Sequence, residues 1–273
     1  MKIRIFFIII AGLIFVTTSC GYEKVLKSGD WDFKYIKAME YFEKGEYVKA
    51  TTLLEQLKPR MRGSDKAEEL NFYHAMSYYL MGDYIMAGHY FSTYVKTFFH
   101  SSRAEEADFL AAYCYYLMSP RPSLDQENSY NAINAFTLFK SKFPNSDRIS
   151  ECDNLIAELE EKLVEKSYLT AKLYFDLGNY KAAMVALRTS LSEYPDTKFR
   201  EELMFLRLKS SYLLAENSVL EKQQERYQSA VDEYYSFLDE FPESEYIREA
   251  EKIYSSVQEK ITNQDTNINQ DGL

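Results

Sequence analysis

Three histidines, two interior cysteines and several paired carboxylates are the residues whose types could do chemistry. His74, His89 and His100 could act as metal ligands or general bases only with a partner at ligand spacing, and none stands there. No Gly-x-Ser-x-Gly, His-Glu-x₂-His or Gly-x₄-Gly-Lys occurs, so the usual signatures of acyl transfer, zinc hydrolysis and phosphate cradling are missing. Glu68-Glu69, Glu105-Glu106 and Glu201-Glu202 fall where helices are expected to start. Negative charge there meets the positive end of the helix dipole, a structural role rather than an acid–base one. No catalytic residue, metal site or soluble cofactor is expected, and the enzyme class is set aside.

The reactive side chain with an informative context is Cys20. Lys2 and Arg4 precede an apolar run from Ile5 to Val16, followed by Thr17, Thr18, Ser19 and Cys20. A basic start, a short apolar stretch and small residues before a cut describe a secretory signal over residues 1–19. The run falls short of the roughly 18–20 apolar residues that span a bilayer. Two cuts fit, an ordinary secretory one and a lipoprotein one, and Cys20 favours the second. The residues before it resemble a lipobox, with Thr17 where leucine is usual. That resemblance implies a covalent lipid on Cys20. At about 0.8 kcal/mol per buried methylene, such an anchor is effectively permanent. Gly21-Tyr22-Glu23-Lys24 carries no acidic run of the kind associated with surface export, so the periplasmic side is expected.

Removing residues 1–19 takes away two cations and moves the net charge from −10 to −12. An acidic body excludes nucleic acid as a partner, because phosphate binding needs a basic stripe. No second apolar run is long enough to cross a membrane. Cys114 and Cys152 remain beyond the anchor; a disulfide is possible in an oxidising compartment, but both are expected as unpaired, buried thiols.

The elements that position these residues come from a repeated phrase, Ala-x₂-Tyr-x₃-Gly-x-Tyr-x₂-Ala. It occurs at Ala38 to Ala50, Ala75 to Ala87 and Ala171 to Ala183. Glycine suits a helix C-terminus, and alanine lets two helices cross closely. The spacing predicts an all-α tetratricopeptide-repeat superhelix, an α-solenoid of about five helix-turn-helix repeats. A third copy carries Ala112 and Tyr115, then a loop from Ser119 to Asn128 whose two prolines end the helix. That loop reads equally as a functional insertion or a plain spacer. A long helix over about 148–177 is expected to bridge two halves. The fifth repeat uses Leu203 to Ala215, a polar excursion to about Arg226, and then Ala230, Tyr234 and Phe237. The expected organisation is a signal peptide (1–19), a lipidated linker (20–33), an N-terminal half (34–147), a connecting helix with the C-terminal half (148–261), and a disordered tail (262–273).

In such arrays the first helix of each pair lines the binding face. Three before, one after and four after the small residue, the positions are Tyr35, Met39 and Phe42; Phe72, Met76 and Tyr79; Phe109, Tyr113 and Tyr116. All are aromatic or methionine, adaptable contacts for apolar segments of a client protein. Half are expected to be core and half reachable.

Taken together, Cys20, the repeats, and the ends Phe143-Pro144-Asn145-Ser146, Tyr194-Pro195-Asp196-Thr197 and Phe241-Pro242-Glu243-Ser244 resemble the YfiO (BamD) family. This family comprises lipoproteins of the outer-membrane β-barrel assembly machinery. The resemblance covers essentially the whole mature chain. It implies an outer-membrane anchor with the body in the periplasm, and C-terminal repeats docked on the periplasmic domains of the barrel subunit, BamA. It also implies that the N-terminal repeats meet unfolded outer-membrane proteins. The alternative is a general periplasmic repeat adaptor serving division or secretion.

Overall fold

The computed structural model describes residues 21–271, with side chains to Asn263; the expected signal peptide (1–19) and Cys20 lie outside them. Within that span there is no strand, and the helices are α1 (21–27), α2 (Trp31–Glu43), α3 (Tyr47–Leu57), α4 (Ala67–Leu80), α5 (Tyr84–Thr97), α6 (Ala104–Met118), α7 (Glu127–Lys142), α8 (Ile149–Asp176), α9 (Tyr180–Glu193), α10 (Arg200–Glu216), α11 (Leu220–Glu240) and α12 (Ile247–Asp271). Among the described residues no helix is long and apolar enough to cross a membrane.

The contacts divide the chain into two compact units. The first runs to Pro120 and includes Glu127–Leu159; the second takes Arg121–Gln126 and everything from Glu160. In the first, consecutive helices from α2 to α7 pack on one another. In the second, α10 packs on α9, α11 and α12. Every alanine of the repeated phrase is wholly buried: Ala38 and Ala50, Ala75 and Ala87, Ala171 and Ala183. The hairpins close at Gly45, Gly82 and Gly178, whose φ values of 75°, 79° and 72° only glycine adopts cheaply. After each, the next backbone N–H reaches back to a helical carbonyl: Glu46 to Tyr41 (2.8 Å), Asp83 to Tyr78 and Asn179 to Tyr174 (both 3.0 Å). This is the wrapped C-terminal end typical of a left-handed cap. Asp83 and Asn179 then cap the next helix by accepting from Met86 N (3.1 Å) and Ala182 N (3.3 Å). A second glycine does steric work. A Cβ on Gly88 would stand 3.3 Å from Cys114 Cβ, so α5 and α6 approach closely there because the position is bare.

Four expectations are corrected. The linker expected over 20–33 is largely structured: α1 spans 21–27 and α2 starts at Trp31. Tyr22, Val25 and Leu26, at helical spacing, cover the core of the first repeat, and the buried Lys34 donates from Nζ to Leu26 O (3.0 Å) and Gln56 Oε1 (2.7 Å). The boundary expected at 147/148 lies instead inside α8, which belongs to both units. The polar excursion before Arg226 is helix from Leu220, because Glu, Lys, Gln and Arg are good helix formers on a solvent face. The tail expected to be disordered from Thr262 continues α12 to Asp271, with neither glycine nor proline before Gly272 to stop it.

The loop of the third repeat is braced internally. Buried Gln126 donates from Nε2 to Arg121 O (2.9 Å) and Leu124 O (3.1 Å), and Lys166 Nζ donates to Ser123 O (3.1 Å). That makes it a shaped element of the second unit.

Candidate protein-docking site

The nine expected face positions separate by register. The residue three before the small one is buried in every copy, as Tyr35, Phe72 and Phe109, while Met39, Phe42, Met76, Tyr79, Tyr113 and Tyr116 are half-buried. A third of the row is therefore core and two thirds is reachable. The half-buried residues hold one another in fixed geometry. Phe109, Tyr113 and Tyr116 form a stacked ladder, with centroids 5.7 and 5.3 Å apart and planes within 16° and 22°. Tyr116 Oη donates to both carboxylate oxygens of Glu158 at 2.9 Å. Burial, then the Glu158 carboxylate, pushes the Tyr116 phenol up to about 12. Phe42 meets Tyr73 edge-to-face at 4.8 Å, and Tyr79 meets Tyr84 at 5.8 Å. Rings fixed this way lose little rotamer freedom when a partner arrives, which suits repeated binding of apolar side chains.

The buried ring of each copy is covered by the residue just before the next repeat. Lys66 Nζ lies 5.1 Å from the Tyr35 centroid, and the guanidinium carbons of Arg103 and Arg148 lie 5.1 Å from Phe72 and 4.2 Å from Phe109. In the second unit the same slot holds a ring: Phe199 stacks on Tyr168 (4.2 Å, 9°), and Tyr246 stacks on Phe205 (4.5 Å, 10°). The covering residue follows a Ser or Thr by two and precedes a Glu by three: Ser64/Lys66/Glu69, Ser101/Arg103/Glu106, Ser146/Arg148/Glu151, Thr197/Phe199/Glu202 and Ser244/Tyr246/Glu249.

Each part of that pattern has a job. The hydroxyls of Ser101, Ser146, Thr197 and Ser244 accept from the covering residue's N–H at 3.0–3.2 Å and so start the next helix. Glu69 accepts from Tyr35 Oη (2.7 Å), and Glu202 accepts from Tyr168 Oη (2.8 Å) and Lys172 Nζ (2.6 Å). One residue earlier, Glu68 takes Ser101 Oγ (2.6 Å) and Glu105 takes Ser146 Oγ (2.5 Å), linking one junction to the next. The paired glutamates read from the sequence as helix starts are thus also the ties between repeats. A five-fold Ser/Thr-x-x-x-x-Glu spacing was the signal that could have found them.

Of the other reactive residues, His89 and His100 are exposed, while His74, Cys114 and Cys152 are packed inside. His74 is wholly buried against Tyr78 (5.2 Å) and Tyr90 (4.4 Å), with Nε2 2.6 Å from a Glu55 oxygen. Cys114 and Cys152 are buried and free, and burial pushes their thiols up to about 12 and about 11, which suppresses thiolate chemistry. Cys20 lies outside the described residues.

No curated protein matches the chain. Among solved structures it is similar to the TPR2AB domain of yeast Sti1 in its complex with pHSP90, at 13% identity over 84% of this chain and 98% of that one, with a TM-score of 0.39. A family model described as outer membrane lipoprotein, YfiO, matches residues 32–226, which takes in the face row, all but the last of the repeat junctions, and the long helix. The chain belongs to the YfiO family of outer membrane lipoproteins.

Proposed function

We propose that this chain is a non-enzymatic scaffold of the β-barrel assembly machinery, anchored in the outer membrane by lipid on Cys20, with its body in the periplasm. The observation that supports this reading best is a row of half-buried aromatic and methionine side chains on consecutive repeats of a YfiO-family protein. Met39, Phe42, Met76, Tyr79, Tyr113 and Tyr116 offer apolar faces that a folded, soluble partner would rarely match. An unfolded barrel protein presents alternating apolar and aromatic residues in extended segments, which fit such a row without any catalytic group. The second unit carries lysines in the equivalent row and is assigned to the periplasmic domains of the barrel subunit.

Purification in mild detergent through a C-terminal tag, followed by mass spectrometry, tests the assignment. A β-barrel protein with repeated periplasmic domains should co-purify at near-stoichiometric amount. Division or secretion proteins in its place would move the chain to the general adaptor class. Cys20→Ala should release the body from membranes, and retention through a carbonate wash would contradict the anchor.

A further inference from the structure

The α1 helix follows directly on Cys20 in the sequence, and its direction bears on which side of the first unit can meet the bilayer. The α1 helix runs opposite to α2. Its first turn sits at the far end of α2, with Tyr22 5.6 Å from Tyr41 in an edge-to-face contact and 5.8 Å from Lys49 Nζ. Its last turn sits at the start of α2, where Lys34 holds Leu26 O. The first turn of α1, which follows Cys20 in the sequence, therefore sits at the end where α2 turns into α3 through Gly45, and not at the opposite end, where repeats join.

That same end carries exposed aliphatic side chains in repeat register. Val48 is 69% exposed and Ile85 is 72% exposed; each is the third residue after its turn glycine, Gly45 or Gly82. Leu80, 44% exposed, precedes the second turn. Neither Val48 nor Ile85 belongs to a core cluster, and the fold does not need them apolar. The exposed charges of this end are close to balanced, with Lys24 and Lys44 against Glu23, Glu43 and Asp83. A surface of this kind is held to lipid by apolar contact and by tethering, and needs no anionic headgroup.

We propose that the turn edge of the first unit lies against the bilayer, with Val48 and Ile85 entering the boundary between headgroups and acyl chains. This rests on the lipoprotein reading of Cys20. The repeat-junction end of the same helix pairs then faces away from the membrane, about 20 Å off for helices of this length.

The test uses the full lipidated protein in phosphatidylcholine vesicles, with a fluorophore on Val48→Cys, Ile85→Cys or, as the far-end control, Phe99→Cys. Phe99 is exposed between α5 and α6, and buried Cys114 and Cys152 stay unlabelled. Brominated acyl chains should quench the first two labels several-fold more than the third, with or without added phosphatidylglycerol. Equal quenching at the three sites, in protein that floats with the vesicles, would overturn the proposal and leave the anchor standing. Quenching that appears only with phosphatidylglycerol would overturn it as well, in favour of a charge contact. Protein that fails to float would overturn the lipoprotein reading itself.

Discussion

The two units use one repeat plan with different side chains along the same row. Where the first unit has Met39, Phe42, Met76, Tyr79, Tyr113 and Tyr116, the second has Lys172 and Phe175, then Lys209 and Tyr212. Lys172 is held by Glu202, and Lys209 lies 2.7 Å from Glu249. The covering slot differs in the opposite sense, with cations over rings in the first unit and rings on rings in the second. Cohesion between repeats tolerates either chemistry, because both take one face of a ring away from water. Only the position after the small residue changes, from Met39, Met76 and Tyr113 to Lys172 and Lys209, while Phe175 and Tyr212 keep the aromatic one. That difference underlies the proposal of a different partner for each unit. An apolar row suits unfolded segments, and a row of paired lysines suits a folded polar surface.

The largest effect should come from breaking each unit by itself. Ala87→Arg and Ala183→Arg each put an unpaired charge at a wholly buried crossing, at a cost of about 3–5 kcal/mol. Hydrogen exchange should show loss of protection concentrated in the unit that carries the change. Unchanged thermal melting of both would contradict the repeat register.

The covering slot gives the next effect. Phe199→Ala removes a whole stacked ring and should cost about 3 kcal/mol, whereas Arg103→Ala should cost about 1 kcal/mol as a partly exposed cation–π contact. The exchange Arg103→Phe should be close to neutral in chemical denaturation. A cost as large as that of Phe199→Ala would show that the two chemistries are not interchangeable.

Alkaline pH gives a smaller effect. Burial first, and then Glu158 and Glu68, hold the phenols of Tyr116 and Tyr94 up at about 12 in the folded chain. Unfolded tyrosine ionises near 10, so their contribution to stability is whole below pH 10 and is lost as pH rises from 10 to 12. Tyr116→Phe should flatten that part of the stability profile. An unchanged profile would mean that Tyr116 titrates as a free phenol.

Much of this was legible in the sequence because the repeat phrase carries its own physics. Alanine at a crossing and glycine at a left-handed turn leave few alternatives, and Ala38, Ala75, Gly45 and Gly82 stand where the spacing put them. The face row was legible as a row, but its division into buried and reachable positions was not. That division depends on Lys66, Arg103 and Arg148, which arrive from the following repeat. Helix in polar stretches was the weakest reading. From Leu220 to Arg226 and beyond Thr262, composition resembles a linker while nothing in it stops a helix.

The central claim is that the two units meet different partners, and site-specific photocrosslinking in cells tests it most directly. A photoreactive amino acid at Tyr116 should capture unfolded barrel precursors during their synthesis. The same probe at Lys209 should capture the periplasmic domains of the barrel subunit and few precursors. Precursors captured equally at both sites, or preferentially at Lys209, would contradict the division of labour read from the row.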